Sequence, residues 1–159
     1  MLGEMPATDL SDLVVERRRW REAGRTVVLT NGCFDLLHPG HVALLEAARR
    51  EGDVLVVALN SDASVRGFKG EGRPLVPQAE RAEILVALEP VDRVVVYDEP
   101  TPLETILALR PDVLVKGADW AADAIVGGPE VEASGGRVVR VALLPGRSTS
   151  TLVELIRRP

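Results

Sequence analysis

A single cysteine, Cys33, stands in this chain of 159 residues. That excludes an internal disulfide and a cysteine-rich zinc site, and it fits a reducing compartment. There is no excess of positive charge: 19 Lys and Arg face 24 Asp and Glu, for a formal net charge of −5. General nucleic-acid affinity is thereby argued against, and any phosphate binding has to come from locally placed basic residues. No apolar stretch approaches the roughly 20 residues of a membrane span. The N-terminus, Met1-Leu2-Gly3-Glu4-Met5-Pro6, lacks the basic-then-apolar pattern of a secretory leader. A cytoplasmic protein is expected. Internal repeats, linkers and low-complexity tracts are missing as well.

What is present is ordinary for a globular enzyme, 46% hydrophobic and 27% charged,. The length implies one domain with a sizeable core. Residues 1–24 read as a helical lead-in and residues 25–159 as an α/β core. There are two histidines, and both fall in Thr30-Asn31-Gly32-Cys33-Phe34-Asp35-Leu36-Leu37-His38-Pro39-Gly40-His41. An apolar run, residues 26–29, precedes this block as a buried strand; residues 42–50 follow as a helix. Strand, tight loop, helix opens a βαβ unit. Pro39 suits a first helical turn, where its missing N–H is not needed. His38 is then near the N-cap and His41 about one turn on. Free N–H groups and the positive end of the helix dipole converge there, which makes a site for an anion, above all a phosphate.

The rest of the chain alternates in the same way. Residues 8–23 form a helix with an apolar stripe of Leu10, Leu13 and Val14, capped by Thr8 and stopped at Gly24. Arg17, Arg18 and Arg19 read as a solvated face, with a phosphate role as the alternative. Residues 53–59 are a strand apolar on both faces, as in a covered parallel sheet. Asn60, Ser61 and Asp62 stand at its C-terminal end, the edge that holds ligands in open α/β sheets. Residues 64–77, with Arg66, Lys69 and Arg73, are too rich in Gly and Pro for regular structure. They form either a surface loop or a flap that closes over a polyphosphate. A helix at 78–88 places Ile84, Leu85 and Leu88 at core spacing. A strand at 91–97, a helix at 101–109 capped by Thr101, and strands at 112–115 and 137–143 follow. A last helix covers 152–157. The expected fold is α/β, a Rossmann-like doubly wound parallel sheet of about five strands with flanking helices. Four polar clusters then share one sheet edge: the two histidines, Lys69 with Arg73, Lys116 to Trp120, and Arg147 to Thr151.

Several of these residues carry a plainer alternative. Two histidines three apart could bind zinc, but no third ligand recurs at useful spacing. Cys33 has no adjoining base and defaults to a small buried residue. Asp35 could form an Asx turn, Ser148 to Thr151 could simply cap a helix, and Lys116 could be a solvated strand end. Arg81 could reach a phosphate or pair with a carboxylate. Asp98 and Glu99 read as loop.

The Asn31-to-His41 block resembles the signature of the nucleotidyltransferase superfamily with a His-x-Gly-His motif. Leu59 to Arg66, Lys69-Gly70-x-Gly72-Arg73-Pro74, Arg81 to Leu85, Arg110 to Gly117, and Gly146-x-Ser148-Thr149-Ser150 are similar to the adenylyltransferase family of ADP-heptose synthesis. The similarity runs from about residue 10 to 158. It implies transfer of AMP from ATP to a sugar 1-phosphate, D-glycero-β-D-manno-heptose 1-phosphate, with release of pyrophosphate. It also implies a homodimer, and a sugar kinase on a separate chain, since the domain is often fused behind one and this length leaves no room. By the same resemblance His38, His41 and Lys69 act on the phosphates. Thr30, Asn31, Gly32, Cys33, Phe34 and Gly40 border the nucleotide, as do Lys116, Gly117 and Asp119 around base and ribose. Arg147, Ser148, Thr149 and Ser150 hold the outer phosphates. Asp35, Asn60, Asp62 and Arg73 face the sugar phosphate, with Asp35 the carboxylate suited to a sugar hydroxyl or a magnesium water. Mg2+ is expected as the partner of ATP, held by few protein ligands. Arg147 departs from the family's usual aromatic or small residue and could add a phosphate ligand. Alternatives are a cytidylyltransferase for a phosphorylated alcohol such as glycerol 3-phosphate, an FAD synthetase, or a nucleotide-binding regulatory domain without catalysis.

Overall fold

Runs of Val and Leu set the strands. In a computed structural model, which describes residues 6–158, these are β1 (Val27–Gly32), β2 (Val54–Asn60), β3 (Arg93–Tyr97), β4 (Val113–Gly117) and β5 (Arg137–Val141). All pair in parallel in the order β3-β2-β1-β4-β5. The chain builds outward from β1 to one side, then returns and builds to the other. The reversal leaves a crevice at the C-terminal end of β1, where open α/β sheets take their ligands. Residues 1–5, including the stretch read for a leader, lie outside the described residues.

Alternation along the strands feeds two cores. Val27, Leu29, Val56 and Leu114 meet α1 (Leu10–Glu22) and α5 (Leu103–Leu109) through Leu13, Ile106 and Leu109. Val28, Leu55, Val57 and Val115 meet α2 (Pro39–Arg49) and α4 (Gln78–Val86) through Leu45, Ala82 and Leu85. Every residue of β2 is buried, as expected for a central strand covered on both faces,. Among the described residues, no helix is long and apolar enough to cross a membrane.

The structure departs from the sequence reading in several places. Residues 62–69, expected within an irregular segment, form α3 (Asp62–Lys69). The Ser61 hydroxyl caps it by accepting from the Ser64 amide, and Val65 anchors it in the core. Gly67 lies on the exposed side and is tolerated there. The irregular segment shrinks to residues 70–77, opened by Gly70 at φ 87°, a conformation that favours glycine. A short α6 (Gly128–Ala133) and a 3-10 turn at Ala122–Ala124 were not foreseen, and α7 (Thr149–Arg157) starts earlier than expected. Neither Thr8 nor Thr101 caps: the N-cap residues of α1 and α5 are Asp9 and Pro102, and neither makes a side-chain cap. Ile84 is 45% exposed rather than in the core.

Arg17 is buried, not solvated. It donates to the Leu109 and Arg110 carbonyls and to Asp112 Oδ1 at 3.0 Å, while Asp112 Oδ2 accepts from the Val27 amide. That ties α1 and α5 to the N-terminal edge of the sheet. At the opposite edge, Arg81 is 1% exposed. It donates to the carbonyls of Val76, Cys33 and Asn60, and to Asp62 Oδ1 at 2.8 Å. A carboxylate partner, not a phosphate, accounts for this arginine. Its planar fork joins the ends of β1 and β2 to α4 in a way a lysine cannot copy. Arg81→Leu is expected to cost about 3 kcal/mol or more, the scale of removing one member of a buried pair, measured by urea unfolding. A loss below about 1 kcal/mol would show that the strand ends hold their positions without it.

Candidate active site

The loop after β1 is bent sharply around one carboxylate. Phe34 and Leu36 sit at φ 47° and 48°, left-handed values that side chains adopt only at a cost. Between them Asp35 is 1% exposed. Its Oδ2 accepts from Arg73 Nε at 3.1 Å and the Leu75 amide at 2.9 Å, and its Oδ1 from the Val76 amide at 3.0 Å. Its main-chain oxygen accepts from the Thr149 hydroxyl at 2.6 Å. Burial alone would raise the Asp35 pKa; the two amides and the guanidinium outweigh it and hold the carboxyl below its ordinary value. This corrects the expectation that Asp35 meets a sugar hydroxyl or a magnesium water, because both its oxygens are spent. Arg73, paired with it, is likewise a loop anchor and does not line the cleft. Asp62 is drawn to Arg81 and also stays outside.

Past the bend, His38 is the N-cap of α2. Its Nδ1 accepts from the Gly40 amide at 3.1 Å, and His41 Nδ1 accepts from the His38 amide at 3.3 Å. The two form a capping box built of imidazoles,. Both Nδ1 atoms are acceptors, so in the neutral rings Nε2 carries the proton and is the outward donor. The rings stack with centroids 3.9 Å apart. Gly40 makes the fold-back feasible: a Cβ there would fall 2.8 Å from His38 Cε1. Burial, then the neighbouring imidazole and Lys69, push His41 down to about 4. Burial, with Arg147 close by, also lowers His38. Both are uncharged at neutral pH.

Facing α2 is the start of α7, whose N-cap Ser148 accepts from the Thr151 amide at 3.1 Å. The two helix N-termini flank a cleft of about 370 Å³. It gathers His38, His41, Lys69 and every residue the sequence marked for the nucleotide, from Thr30 to Phe34, Gly40, Lys116, Gly117, Asp119 and Arg147 to Ser150. Ser148 serves as a cap and Thr149 as a tie to Asp35, and both still line the cleft. Lys116 lies with Nζ 5.3 Å from the Trp120 ring centroid; burial lowers its pKa, against the pull of Asp119. Three cations, Lys69, Lys116 and Arg147, thus face one cleft in an acidic chain. Among the described residues, no cluster of three or more His, Cys, Asp or Glu could hold a metal. Asp35 is spent and Asp119 is the lone carboxylate lining this cleft, so these residues do not fit a magnesium site of their own.

A second cleft, of about 470 Å³, adjoins the first and shares Asn31, Gly32, Cys33, Lys69, Lys116 and Trp120 with it. Asn60 also lines it. Burial pushes the Cys33 thiol up, against Lys69 and Arg81, which suits a packed residue rather than a nucleophile. Phe68, Tyr97 and Pro102 also line this cleft, and the sequence reading gave them no role. Tyr97 could have been found by the rule that located Asn60, since both end strands at the ligand edge. Phe68 could not, because its segment was not read as a helix.

The sequence model of the cytidylyltransferase-like family matches residues 29–143. The bifunctional protein HldE of Methylobacillus flagellatus is 50% identical over 146 residues, covering 92% of this chain and 30% of that protein. HldE of Syntrophotalea carbinolica is 58% identical over 144 residues, covering 91% and 29%. This chain therefore spans under a third of the length of these relatives. In them two functions share one chain, unlike the separate kinase expected from the sequence. A crystal structure of the lipopolysaccharide core biosynthesis protein from Thermoplasma volcanium superposes with a TM-score of 0.64 at 27% identity, covering 76% of this chain and 98% of that one. Pantoate-beta-alanine ligase from Francisella tularensis matches at a TM-score of 0.65 and 13% identity over 92% of this chain and 69% of that one, a likeness of fold alone. With its signature residues gathered in one cleft and nearly three quarters of its length matched, the chain belongs to the cytidylyltransferase-like family of nucleotidyltransferases.

Proposed function

We propose that this domain is a D-glycero-β-D-manno-heptose 1-phosphate adenylyltransferase, making ADP-heptose and pyrophosphate from ATP and the sugar 1-phosphate. One observation carries the reaction type: two helix N-termini, two outward Nε2–H donors and three cations converge on one cleft at the sheet's switch point. The HldE relatives and the quoted sequence blocks support the sugar. A phosphate oxygen of the acceptor attacks the α-phosphorus of ATP in line. The bond from that phosphorus to the β-bridging oxygen breaks, and pyrophosphate leaves. Such chemistry asks for positioning and charge neutralisation rather than a covalent nucleophile.

The residues divide this work. His38 and His41 donate from Nε2 to phosphate oxygens whose charge grows in the transition state. Their Nδ1 caps fix both rings before substrate arrives. Arg147, Ser148 and Ser150, at the start of α7, hold the departing phosphates with the helix amides. Lys69, the last residue of α3, and Lys116 border both clefts and neutralise charge between donor and acceptor. Any magnesium arrives on the ATP phosphates, not on protein carboxylates. The acceptor's phosphate must first be placed by phosphoryl transfer, the task of a sugar kinase. The homodimer belongs to the same proposal and rests on the resemblance; the cytoplasmic setting belongs to it too and rests on the lone cysteine and the composition.

Pyrophosphate release with heptose 1-phosphate is expected with ATP, and not with CTP or GTP. Release with CTP would move the base assignment within the family, and release with none would remove the sugar. His41→Ala is expected to cut turnover by roughly 10²-fold or more, the scale of one lost preorganised donor. The broken cap would add about 1 kcal/mol of lost stability. Near-normal turnover would refute the role.

Protonation removes the Nδ1 acceptors on which this arrangement depends. His41 has its ordinary value of 6.5 in the unfolded chain and about 4 in the folded one. Between these values only the unfolded chain binds the proton, so stability present above 6.5 is lost as pH falls toward 4,. The thermal midpoint is expected to drop between about pH 7 and about pH 5, above the ordinary carboxylate range. His41→Asn is expected to flatten that slope. A flat profile in the parent protein would contradict an uncharged pair.

A further inference from the structure

Two stretches carry apolar residues at packing spacing that the chain itself leaves bare. In α7, Thr149, Leu152, Val153 and Ile156 fall on one stripe, at i, i+3, i+4 and i+7,. The first three are partly buried, but Ile156 is 75% exposed and Leu155 beside it 52%. The stripe that seats the helix therefore runs on past the edge of the body. Arg157 and Arg158 follow it, both exposed.

The second stretch is a groove between α2 and α4. Leu37, Pro39, Val42, Ala43, Ile84 and Leu88 line an open space of about 540 Å³. Large apolar groups left bare around such a concavity mark an interaction surface. The rim is acidic: Glu46 lines the groove, and Glu80 stands one helical turn before Ile84, both exposed,. The two stretches adjoin, because Pro39 also lines a crevice with Leu152 and Leu155 of α7.

We propose that the last turn of α7 docks in the α2–α4 groove of a second copy of this chain, and that the partner's α7 returns the contact in a two-fold dimer. This names the face of the dimer proposed above and rests on that dimer, while nucleotide and acceptor do not enter. An apolar helix with a basic end suits an apolar groove with an acidic rim, and one chain carries both halves. The tie of Thr149 to the Asp35 carbonyl pins the start of α7, so the helix cannot fold back onto its own groove. Were helix and groove far apart on the surface, such a contact would string copies into an open chain. Adjoining at Pro39, they let a two-fold axis satisfy both at once and close the assembly. A partner of another kind would use one half and leave the other bare.

The test is sedimentation velocity over a dilution series for the parent protein, Ile156→Asp, Ile84→Lys and Val15→Asp. Far-ultraviolet circular dichroism shows that each variant is folded. Val15 is an exposed apolar residue of α1, outside both stretches. The parent is expected to be a dimer. Ile156→Asp and Ile84→Lys are each expected to raise its dissociation constant about thirtyfold or more, the scale of one interface hot spot; Val15→Asp is expected to leave it unchanged. An equal mixture of Ile156→Asp and Ile84→Lys restores one native contact and pairs the new charges in the other, so a mixed dimer tighter than either variant alone is expected. A parent that stays monomeric overturns the dimer together with its face. A dimeric parent whose constant neither variant changes, or that Val15→Asp weakens equally, keeps the dimer and overturns the face. Loss in Ile156→Asp alone, or a mixture no tighter than its parts, seats α7 elsewhere than this groove and overturns the proposal too. All of these outcomes are read without substrate, so pyrophosphate release judges the adenylyl-transfer reading separately.

Discussion

The Asp35 carboxylate is the interaction on which the site depends. It is almost fully buried, a location that costs a lone charge many kcal/mol unless it is paired and hydrogen-bonded. Here two amides and the Arg73 guanidinium meet it, and all three come from residues 73–76. Its backbone oxygen receives Thr149 from the start of α7. The signature loop, the segment behind Lys69 and the C-terminal helix are thereby referred to one residue. The left-handed backbone on either side, at Phe34 and Leu36, is strain that these bonds offset. The aspartate builds the site without touching the reaction, and removing it would loosen three walls at once.

A second economy lies in the histidines. Each imidazole uses Nδ1 to cap α2 and leaves Nε2–H for the ligand. The bond that satisfies an orphan amide also fixes the ring, its tautomer and its charge state. Preorganisation of this kind matters more than basicity for a reaction whose demand is placement and charge. It also fits a protein of net charge −5 to the polyphosphate of the proposed reaction. The attraction comes from two helix ends and three cations on one edge, while the surplus of carboxylates is spread elsewhere.

Much of this was legible in the sequence, for identifiable reasons. Strands announced themselves by continuous Val and Leu runs, because parallel strands covered on both faces tolerate little else. The Pro39 position and the histidine spacing fixed the start of α2 from local rules alone. What was illegible were partnerships across the chain. Nothing near Asp35 in sequence says that Arg73 lies 3.1 Å away, nor that Arg17 spans to Asp112 or Arg81 to Asp62. An ionisable residue at the ligand edge reads as a ligand contact until its partner is known, and so Asp35, Asp62 and Arg73 were assigned to substrate. α3 was missed because Gly67 and Gly70 outweighed, in a count of residue types, the Ser61 cap and the buried Val65 that hold the helix.

The strand order gives the two clefts separate ancestry in the fold. The phosphate cleft draws on β1, β4, the loop after β5 and the starts of α2 and α7. The second cleft adds the β2–β3 half of the sheet, through Asn60 at the end of β2, Tyr97 at the end of β3 and the Pro100-Thr101-Pro102 turn beyond it, and keeps Lys116, Trp120, Ala124 and Val126 from the β4 side. β1 belongs to both, and so do Lys69, Lys116 and Trp120. A change confined to the β2–β3 side leaves His38, His41 and the α7 start in register, because the hydrogen bonds that fix them, apart from the Asp35 tie, are local to α2 and α7. That arrangement also accounts for why the signature is readable as a compact block while the residues of the second cleft are scattered over several strand ends and loops.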